Sequence, residues 1–340
     1  MANKLIMPRE LRLNVTDKCN LECFCCSKDG DKDKEGKPLS LDEYLRIIDE
    51  WAPYDEAKSL SITGGEPLFE KEYTYAIIKR AKKYGILVRL CTNGHFIEEK
   101  VADDLADLGV DEVQIGLDSS TPEFHNRRCN DNSYAWQRAV SGIEASVKRG
   151  LYTTVRYTLY KSNLDEVVPT YKFVSRLGVA KFKLRMLFPV GAAIMNGVDE
   201  NITGEELAIA QNSALDYSRR TKTKLEISQP YFLVKYHHDS CNVIYEDNSS
   251  CGERNNASIN SKGNVEYCLF CDDGARFGNV RDASFLELWN TPAIKTAREE
   301  RRPEGEGCPA LGCVMKNEDY ASFMSSLQYT TRLLHQQTPP

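Results

Sequence analysis

The chain has 340 residues, 41% of them apolar and 28% charged, with a formal net charge of −6. That length suits a large barrel with an appendage, or two domains, and the composition is that of an ordinary globular protein. The acidic balance excludes a broad electrostatic pull toward nucleic acid or anionic membrane, and no run approaches the ~18 apolar residues that a bilayer-spanning helix needs. The stretch up to Arg12 is too short of apolar residues for a signal peptide, so a reducing, cytoplasmic compartment is expected. There, twelve cysteines point to metal binding or chemistry rather than to disulfides.

Glu10–Thr16 alternates apolar and polar residues, reads as a strand, and runs straight into the first cysteine cluster. Ser40 and Glu43 form a capping box, which predicts a helix to Trp51. Leu60–Thr63 is a short strand ending in Gly64-Gly65, and Lys71–Tyr84 is a helix closed by Gly85. Leu87–Thr92 is a strand that turns at Asn93-Gly94, and Glu98–Leu108 is a helix closed by Gly109. Glu112–Leu117 is a strand, Ser133–Arg149 a helix closed by Gly150, and Tyr152–Tyr160 a strand. Leu164–Leu177 is a helix closed by Gly178, and Lys181–Phe188 is a strand. Six strands alternating with five helices argue for βαβ crossovers and a parallel sheet. Without a Gly-x-Gly-x-x-Gly signature, a partial (β/α)6 TIM-like barrel fits better than a Rossmann sheet. In either case the chemistry sits at the carboxyl ends of the strands, and the cysteine cluster, Gly64-Gly65-Glu66-Pro67 and Thr92-Asn93-Gly94 follow the first three strands.

Farther on, Thr203 caps a helix running to Arg220, and Lys224–Ser228 is a strand. From Cys241 the helical periodicity fades while Cys, Asn, Gly and Asp accumulate, and the tail beyond Tyr320 is helical in pattern. The expected organisation is a barrel over 1–200, a connecting helix and strand over 201–234, and a cysteine-rich module with a C-terminal helix over 235–340.

Cys19, Cys23 and Cys26 form C-x3-C-x2-C on one loop. Three thiolates can each take one iron of a cubane cluster and leave the fourth iron open for a ligand. From these residues alone a zinc knuckle or a set of buried thiols is the alternative. Cys25 reads as a non-ligand whose backbone lies beside the cluster, and Cys91 and Cys129 as buried or surface thiols.

The run LRLNVTDKCNLECFCC, followed by SITGGEP at 61–67 and CTNG at 91–94, resembles the radical S-adenosylmethionine superfamily, from Glu10 to about Val190. The resemblance implies a partial (β/α)6 barrel and a [4Fe–4S] cluster on Cys19, Cys23 and Cys26. It implies S-adenosylmethionine on the open iron, split by one electron to a 5′-deoxyadenosyl radical that abstracts a substrate hydrogen. Gly64 and Gly65 lack Cβ and allow a close backbone approach; the resemblance places this segment against the methionine amino group, with Glu66-Pro67 fixing the turn. Thr92 and Asn93 face the pocket, Asp118 and Ser119 are candidates for ribose hydroxyls, and Met186, ending the sixth strand, backs the adenine or belongs to the core. The related GTP-cyclising enzymes carry a serine where this chain has Gly116.

Cys251, Gly263, Cys268 and the pair Cys308/Cys313 bracket GNVRDASFLELWN at 278–290. They resemble the auxiliary-cluster modules called SPASM and Twitch. The shorter, four-cysteine Twitch form fits better, with a second [4Fe–4S] cluster on Cys251, Cys268, Cys308 and Cys313. The last pair is spaced C-x4-C rather than C-x2-C, so Cys271 is an alternative to Cys308. Gly263 lets a hairpin turn so that Cys251 and Cys268 point to one site. Zinc is the rival metal for four thiolates.

Twitch-bearing relatives oxidise alcohols of aminocyclitols, and SPASM-bearing ones modify ribosomal peptides. The first strand begins near residue 10, which leaves no room for an N-terminal peptide-recognition domain. The expectation is therefore oxidation of a small molecule such as a sugar or aminocyclitol, with a peptide as the alternative substrate and a flavodoxin or ferredoxin as electron donor. A GTP cyclase lacks support from the C-terminus, and a zinc-bound structural protein is the non-enzymatic alternative. Arg156 and Arg185 could face inward; an arginine keeps its proton, so each would serve as an electrostatic clamp on an oxyanion. His95, Tyr157, His237 and His238 are weaker candidates.

Overall fold

The computed structural model describes residues 7–26, 36–187, 191–196, 202–228, 243–245, 256–266 and 276–294. Cys241, Cys251, Cys268, Cys271, Cys308, Cys313, His237, His238 and the expected C-terminal helix lie outside the described residues.

Strands and helices alternate as the periodicity predicts. In chain order they are β1 (Glu10–Asn14), α1 (Leu41–Trp51), β2 (Ser59–Thr63), α2 (Lys71–Lys83), β3 (Leu87–Thr92), α3 (Glu99–Asp107) and β4 (Glu112–Gly116). They continue with α4 (Pro122–Arg128), α5 (Ala135–Lys148), β5 (Thr153–Leu159), α6 (Val167–Arg176), β6 (Lys181–Met186), α7 (Ala192–Met195), α8 (Gly204–Ser218) and β7 (Lys224–Ser228). The last are β8 (Val243–Tyr245), β9 (Asn256–Ile259), β10 (Asn264–Glu266), β11 (Arg276–Asn279) and α9 (Phe285–Trp289). The Ser40–Glu43 box forms as read, the Ser40 amide donating to Glu43 Oε2 at 2.7 Å and the Glu43 amide to Ser40 Oγ at 3.4 Å. Three α-helices were not anticipated: the short α7 and α9, and α4, seven residues opened by Pro122 at its first position, where the missing N–H costs nothing.

The sheet has the order β11-β10-β9-β1-β2-β3-β4-β5-β6-β7-β8. From β1 to β8 every neighbouring pair is parallel and sequential. A doubly wound sheet would reverse its order at a switch point, so this is barrel order. β9 adds to the free edge of β1 in parallel, and β10 and β11 follow antiparallel. The C-terminal hairpin therefore continues the barrel sheet. Its turn is closed by the Gly263 amide donating to the Asn260 carbonyl at 3.0 Å, with Gly263 at φ +90° as the predicted turn requires.

Period-2 alternation sorts the strand residues onto two faces. Leu11, Leu13, Leu60, Ile62, Val88, Leu90, Val113, Ile115, Val155, Phe182 and Leu184 are buried in one apolar core with Ile47, Ile48, Ile77, Ile78 and Ile143 of the helices. The intervening residues form the inner face, and it is charged. Glu10 Oε1 takes the Ser61 hydroxyl at 2.9 Å and the Arg12 guanidinium at 3.1 Å. Arg89 reaches Glu112 at 2.8 Å, and Lys181 lies 3.0 Å from Glu112 and 2.6 Å from Glu226. Lys183 meets the other oxygen of Glu226 at 2.5 Å. Burial works against ionisation of Glu112, but Arg89 and Lys181 outweigh it and hold the carboxyl at about 2. This network spans β1 to β7 and fills the amino-terminal end of the inner face.

Candidate functional site

β1 delivers the chain to the cysteine loop. The loop is held from three directions: the Phe24 amide donates to the Arg128 carbonyl at 3.1 Å, the Ala192 amide to the Cys26 carbonyl at 2.8 Å, and Asn196 Nδ2 to the Phe24 carbonyl at 2.9 Å. Cys19 is exposed and Cys23 and Cys26 are half-buried. The Cys19 sulfur accepts the Leu21 amide at 3.4 Å. Its thiol is pushed up to about 11, first by desolvation and then by the Glu66, Cys23 and Cys26 charges beside it. Among the described residues no three His, Cys, Asp or Glu side chains gather around one point. Cys19 nonetheless senses the Cys23 and Cys26 charges, and three thiolates on one loop can each take one iron of a cubane cluster.

The Gly64-Gly65 segment lies directly on this loop. The Gly65 amide donates to the Thr16 carbonyl at 2.7 Å and the Glu66 amide to the Lys18 carbonyl at 2.8 Å. A Cβ on Gly64 would stand 2.4 Å from Thr16 O, and one on Gly65 would stand 2.3 Å from Lys18 O. The close approach that these glycines permit is thus to the chain's own backbone just ahead of Cys19. Glu66 is fully buried; Oε1 accepts from Thr92 Oγ1 at 2.8 Å and the Leu68 amide at 3.1 Å, and Oε2 from the Asn93 amide at 2.8 Å. Burial raises its carboxyl to about 7 despite those bonds. Glu66 latches the end of β2 to the end of β3, and Asn93 Nδ2 completes the bridge at 2.9 Å from Asn20 Oδ1 and 3.8 Å from the Cys19 sulfur.

The ends of β4 to β6 revise several expectations. Asp118 accepts the Thr158 amide at 2.7 Å through Oδ1 and faces Arg128 Nε at 2.7 Å through Oδ2. Ser119 Oγ accepts the Thr121 amide at 3.0 Å and lies 3.3 Å from Glu166. Both are buried, and each oxygen of Asp118 already has a partner within the chain, the Thr158 amide at one and the Arg128 guanidinium at the other. Met186 is buried in the apolar core with Leu184 on the helix-facing side of β6, which is its core reading. Tyr157 is likewise structural, its hydroxyl donating to the Asn163 carbonyl at 2.7 Å. Arg156 and Arg185 are half-buried and share the inner face, paired across β5 and β6 with Lys183 and Thr158. Arg156 makes no side-chain hydrogen bond or ion pair to a described residue. Its Nη2 lies 3.7 Å from where a Cβ at Gly116 would stand, and its charge is felt at Cys23 and Cys91. Asn14, at the end of β1, has both polar side-chain atoms buried without a partner, as does Ser258 Oγ on β9.

Cys25 has partners of its own: its sulfur lies 2.9 Å from the Tyr160 hydroxyl and 3.9 Å from Arg128 Nη1. The sequence reading missed the partners that α4 brings. Arg128 is half-buried beside Asp118, and Cys129 sits 3.7 Å from Cys23, sulfur to sulfur. Pro122 was the signal for that helix; nothing local signalled its contacts.

The radical SAM superfamily profile matches residues 13–174, and the profile of the SPASM iron–sulfur cluster-binding domain matches residues 251–313, from Cys251 to Cys313. An AdoMet-dependent heme synthase of Methanosarcina barkeri is 25% identical over 312 residues, 87% of this chain and 86% of that protein. A probable GTP 3′,8-cyclase of Methanococcus maripaludis is 35% identical over 144 residues, 42% of this chain and 47% of that protein. The structure of Streptococcus suis SuiB bound to S-adenosylmethionine has the same fold, with a TM-score of 0.72 at 15% identity over 92% of this chain and 76% of that one. Its cofactors are accordingly [4Fe–4S] clusters and S-adenosylmethionine, and the loop thiols fit the first of them. The chain belongs to the radical SAM superfamily and carries a SPASM-type iron–sulfur module in its C-terminal part.

Proposed function

We propose that this radical SAM enzyme oxidises a small, oxyanion-bearing molecule held against the carboxyl end of the inner sheet face. The observation that carries the reading is Arg156, a half-buried guanidinium with no carboxylate partner among the described residues. Cys19, Cys23 and Cys26 would hold the N-terminal cluster, and Cys251, Cys268, Cys313 and either Cys308 or Cys271 the auxiliary one. When bound, the first cluster and S-adenosylmethionine supply a hydrogen-abstracting radical, and the auxiliary cluster supplies an acceptor for the second electron. Asn93 orients the cysteine loop, the Gly64-Gly65 backbone lies beside it, and Thr92 and Glu66 fix both. Arg156 clamps the substrate's oxygen charge, and Asn14 and Ser258 offer buried hydrogen-bonding groups on the same face.

A sugar or aminocyclitol alcohol is one substrate class that such a clamp suits, through the negative charge that develops on its oxygen once the hydroxyl loses its proton. A tetrapyrrole carboxylate is the second reading, favoured because the heme synthase relative aligns over 87% of this chain. The test is anaerobic reconstitution, counting iron and sulfide, with S-adenosylmethionine, a reductant and panels of tetrapyrrole carboxylates, aminocyclitols and short peptides. We expect one small-molecule panel to stimulate 5′-deoxyadenosine release, and Arg156→Met to raise the KM for it at least tenfold while Arg156→Lys recovers part of that loss. Stimulation by peptides alone, or zinc without 5′-deoxyadenosine, would overturn the reading.

A further inference from the structure

The structure brings a fourth cysteine to the N-terminal cluster loop from 106 residues away. Cys129 Sγ lies 3.7 Å from Cys23 Sγ, and Cys129 is buried whereas Cys23 is half-buried. The approach is enforced by several independent contacts. The Arg128 carbonyl accepts the Phe24 amide at 3.1 Å, and Asn130 Nδ2 donates to Glu22 Oε2 at 3.3 Å, so the residues on either side of Cys129 both grip the loop. The Cys129 amide donates to the His125 and Asn126 carbonyls at 3.2 and 3.0 Å, which fixes its backbone at the end of α4. Asn130 and Asp131 then adopt φ of +57° and +55°. Two consecutive non-glycine residues in the left-handed region cost stability, and they turn the chain away immediately after Cys129.

We propose that Cys129 is a positioning residue of the N-terminal cluster, whose thiol donates a hydrogen bond to the Cys23 sulfur and so makes the cluster easier to reduce. The inference rests on the assignment of Cys19, Cys23 and Cys26 as the cluster's ligands. A metal-bound sulfur is a thiolate and carries no proton, so the proton between the two sulfurs belongs to Cys129. A hydrogen bond to a ligand sulfur draws off its charge. It therefore favours the more negative, reduced cluster over the oxidised one. Arg128 Nη2 lies 3.4 Å from the Cys129 sulfur, but Asp118 at 2.7 Å balances its charge, which leaves the thiol as the local donor. The second shell of this cluster would thus be supplied by α4, an element outside the cysteine motif.

Two variants of the full chain separate this role from packing and from ligation. Cys129→Val keeps the volume and removes the donor; Cys129→Ser keeps a donor. Each is reconstituted anaerobically, its iron is counted, and the cluster is followed by potentiometric electron paramagnetic resonance, using the spectral change on adding S-adenosylmethionine to mark the N-terminal cluster. We expect unchanged iron in both. At a fixed potential the reduced-to-oxidised ratio should fall about tenfold in Cys129→Val, which corresponds to ~59 mV for a one-electron couple. Cys129→Ser should fall between it and wild type. An iron-loaded Cys129→Val with the wild-type potential overturns the proposal alone. Loss of as much iron as Cys23→Ala loses would make Cys129 a ligand and also overturn it. A wild-type chain that takes up no iron, or keeps the iron of this site after Cys19/Cys23/Cys26→Ala, overturns the ligand assignment and this proposal together.

Discussion

At the amino ends of the strands, Glu10 meets Arg12 of its own strand, Glu112 and Glu226 each meet a cation from a neighbouring strand, and Arg89, Lys181 and Lys183 are tied in by them. Toward the carboxyl ends of the same inner face, Arg156, in register with Gly116 at the end of β4, has no carboxylate among the described residues, and Asn14 at the end of β1 keeps buried polar atoms unpaired. The two ends are built from the same residue types on alternate positions of the same strands, yet only one is electrically closed. Barrel folds concentrate stability at the amino-terminal end and chemistry at the other. The contrast shows how: the charges of the closed end have their answers within the fold, and the open end keeps polar groups for a ligand.

Three changes test that contrast. The largest effect is expected from Glu226→Ala, which removes the carboxylate that Lys181 and Lys183, both buried, share, and leaves Glu112 as the one carboxylate beside Lys181 among the described residues. Removing one partner of a buried ion pair costs about 3–5 kcal/mol, and urea unfolding of the anaerobic protein would measure it. A loss under ~1 kcal/mol would show that the network is not what stabilises the closed end. Next comes the pH dependence of the latch at the open end. Glu66 holds its proton more tightly folded, at about 7, than at its ordinary 4.5. Below pH 4.5 both states are protonated. Between 4.5 and 7 the unfolded chain ionises first, so stability falls as pH rises, by about 3 kcal/mol when complete. Glu66→Gln should flatten that window, and an unaltered slope in the variant would assign the titration elsewhere. The smallest effect is expected from Gly65→Ala, whose Cβ would meet the Lys18 carbonyl at 2.3 Å. The backbone must shift, at about 1–3 kcal/mol, and the displacement falls on the cysteine loop. Iron occupancy should therefore drop more in Gly65→Ala than in Gly150→Ala, where a Cβ meets nothing within 4 Å.

Much of the scaffold was legible because its signals are local. The Ser40–Glu43 capping box forms as read, Thr203 caps its helix as read, and the six expected strands stand in parallel in chain order. The cysteine spacing and the Gly64-Gly65-Glu66-Pro67 turn also lie where expected, at the ends of β1 and β2. The readings that shifted all concern a partner elsewhere in the chain. Asp118 meets Arg128 and the Thr158 amide, which the sequence did not place beside it. Met186 has the burial of a core residue, and the glycines after β2 make way for the loop after β1.

Periodicity, caps and motif spacing depend on residues within a few turns of one another, so the amino-acid sequence by itself determined the alternating barrel, the cysteine loop at the end of its first strand and the family. Which side chains share the inner face as partners depends on closing contacts over tens to hundreds of residues. Only the tertiary structure decided that β9 pairs with β1, that Ser261 reaches Asp17 at 2.5 Å beside the cysteine loop, and that Cys129 meets Cys23. Those contacts follow from how helices and strand edges pack, and no local pattern encodes them.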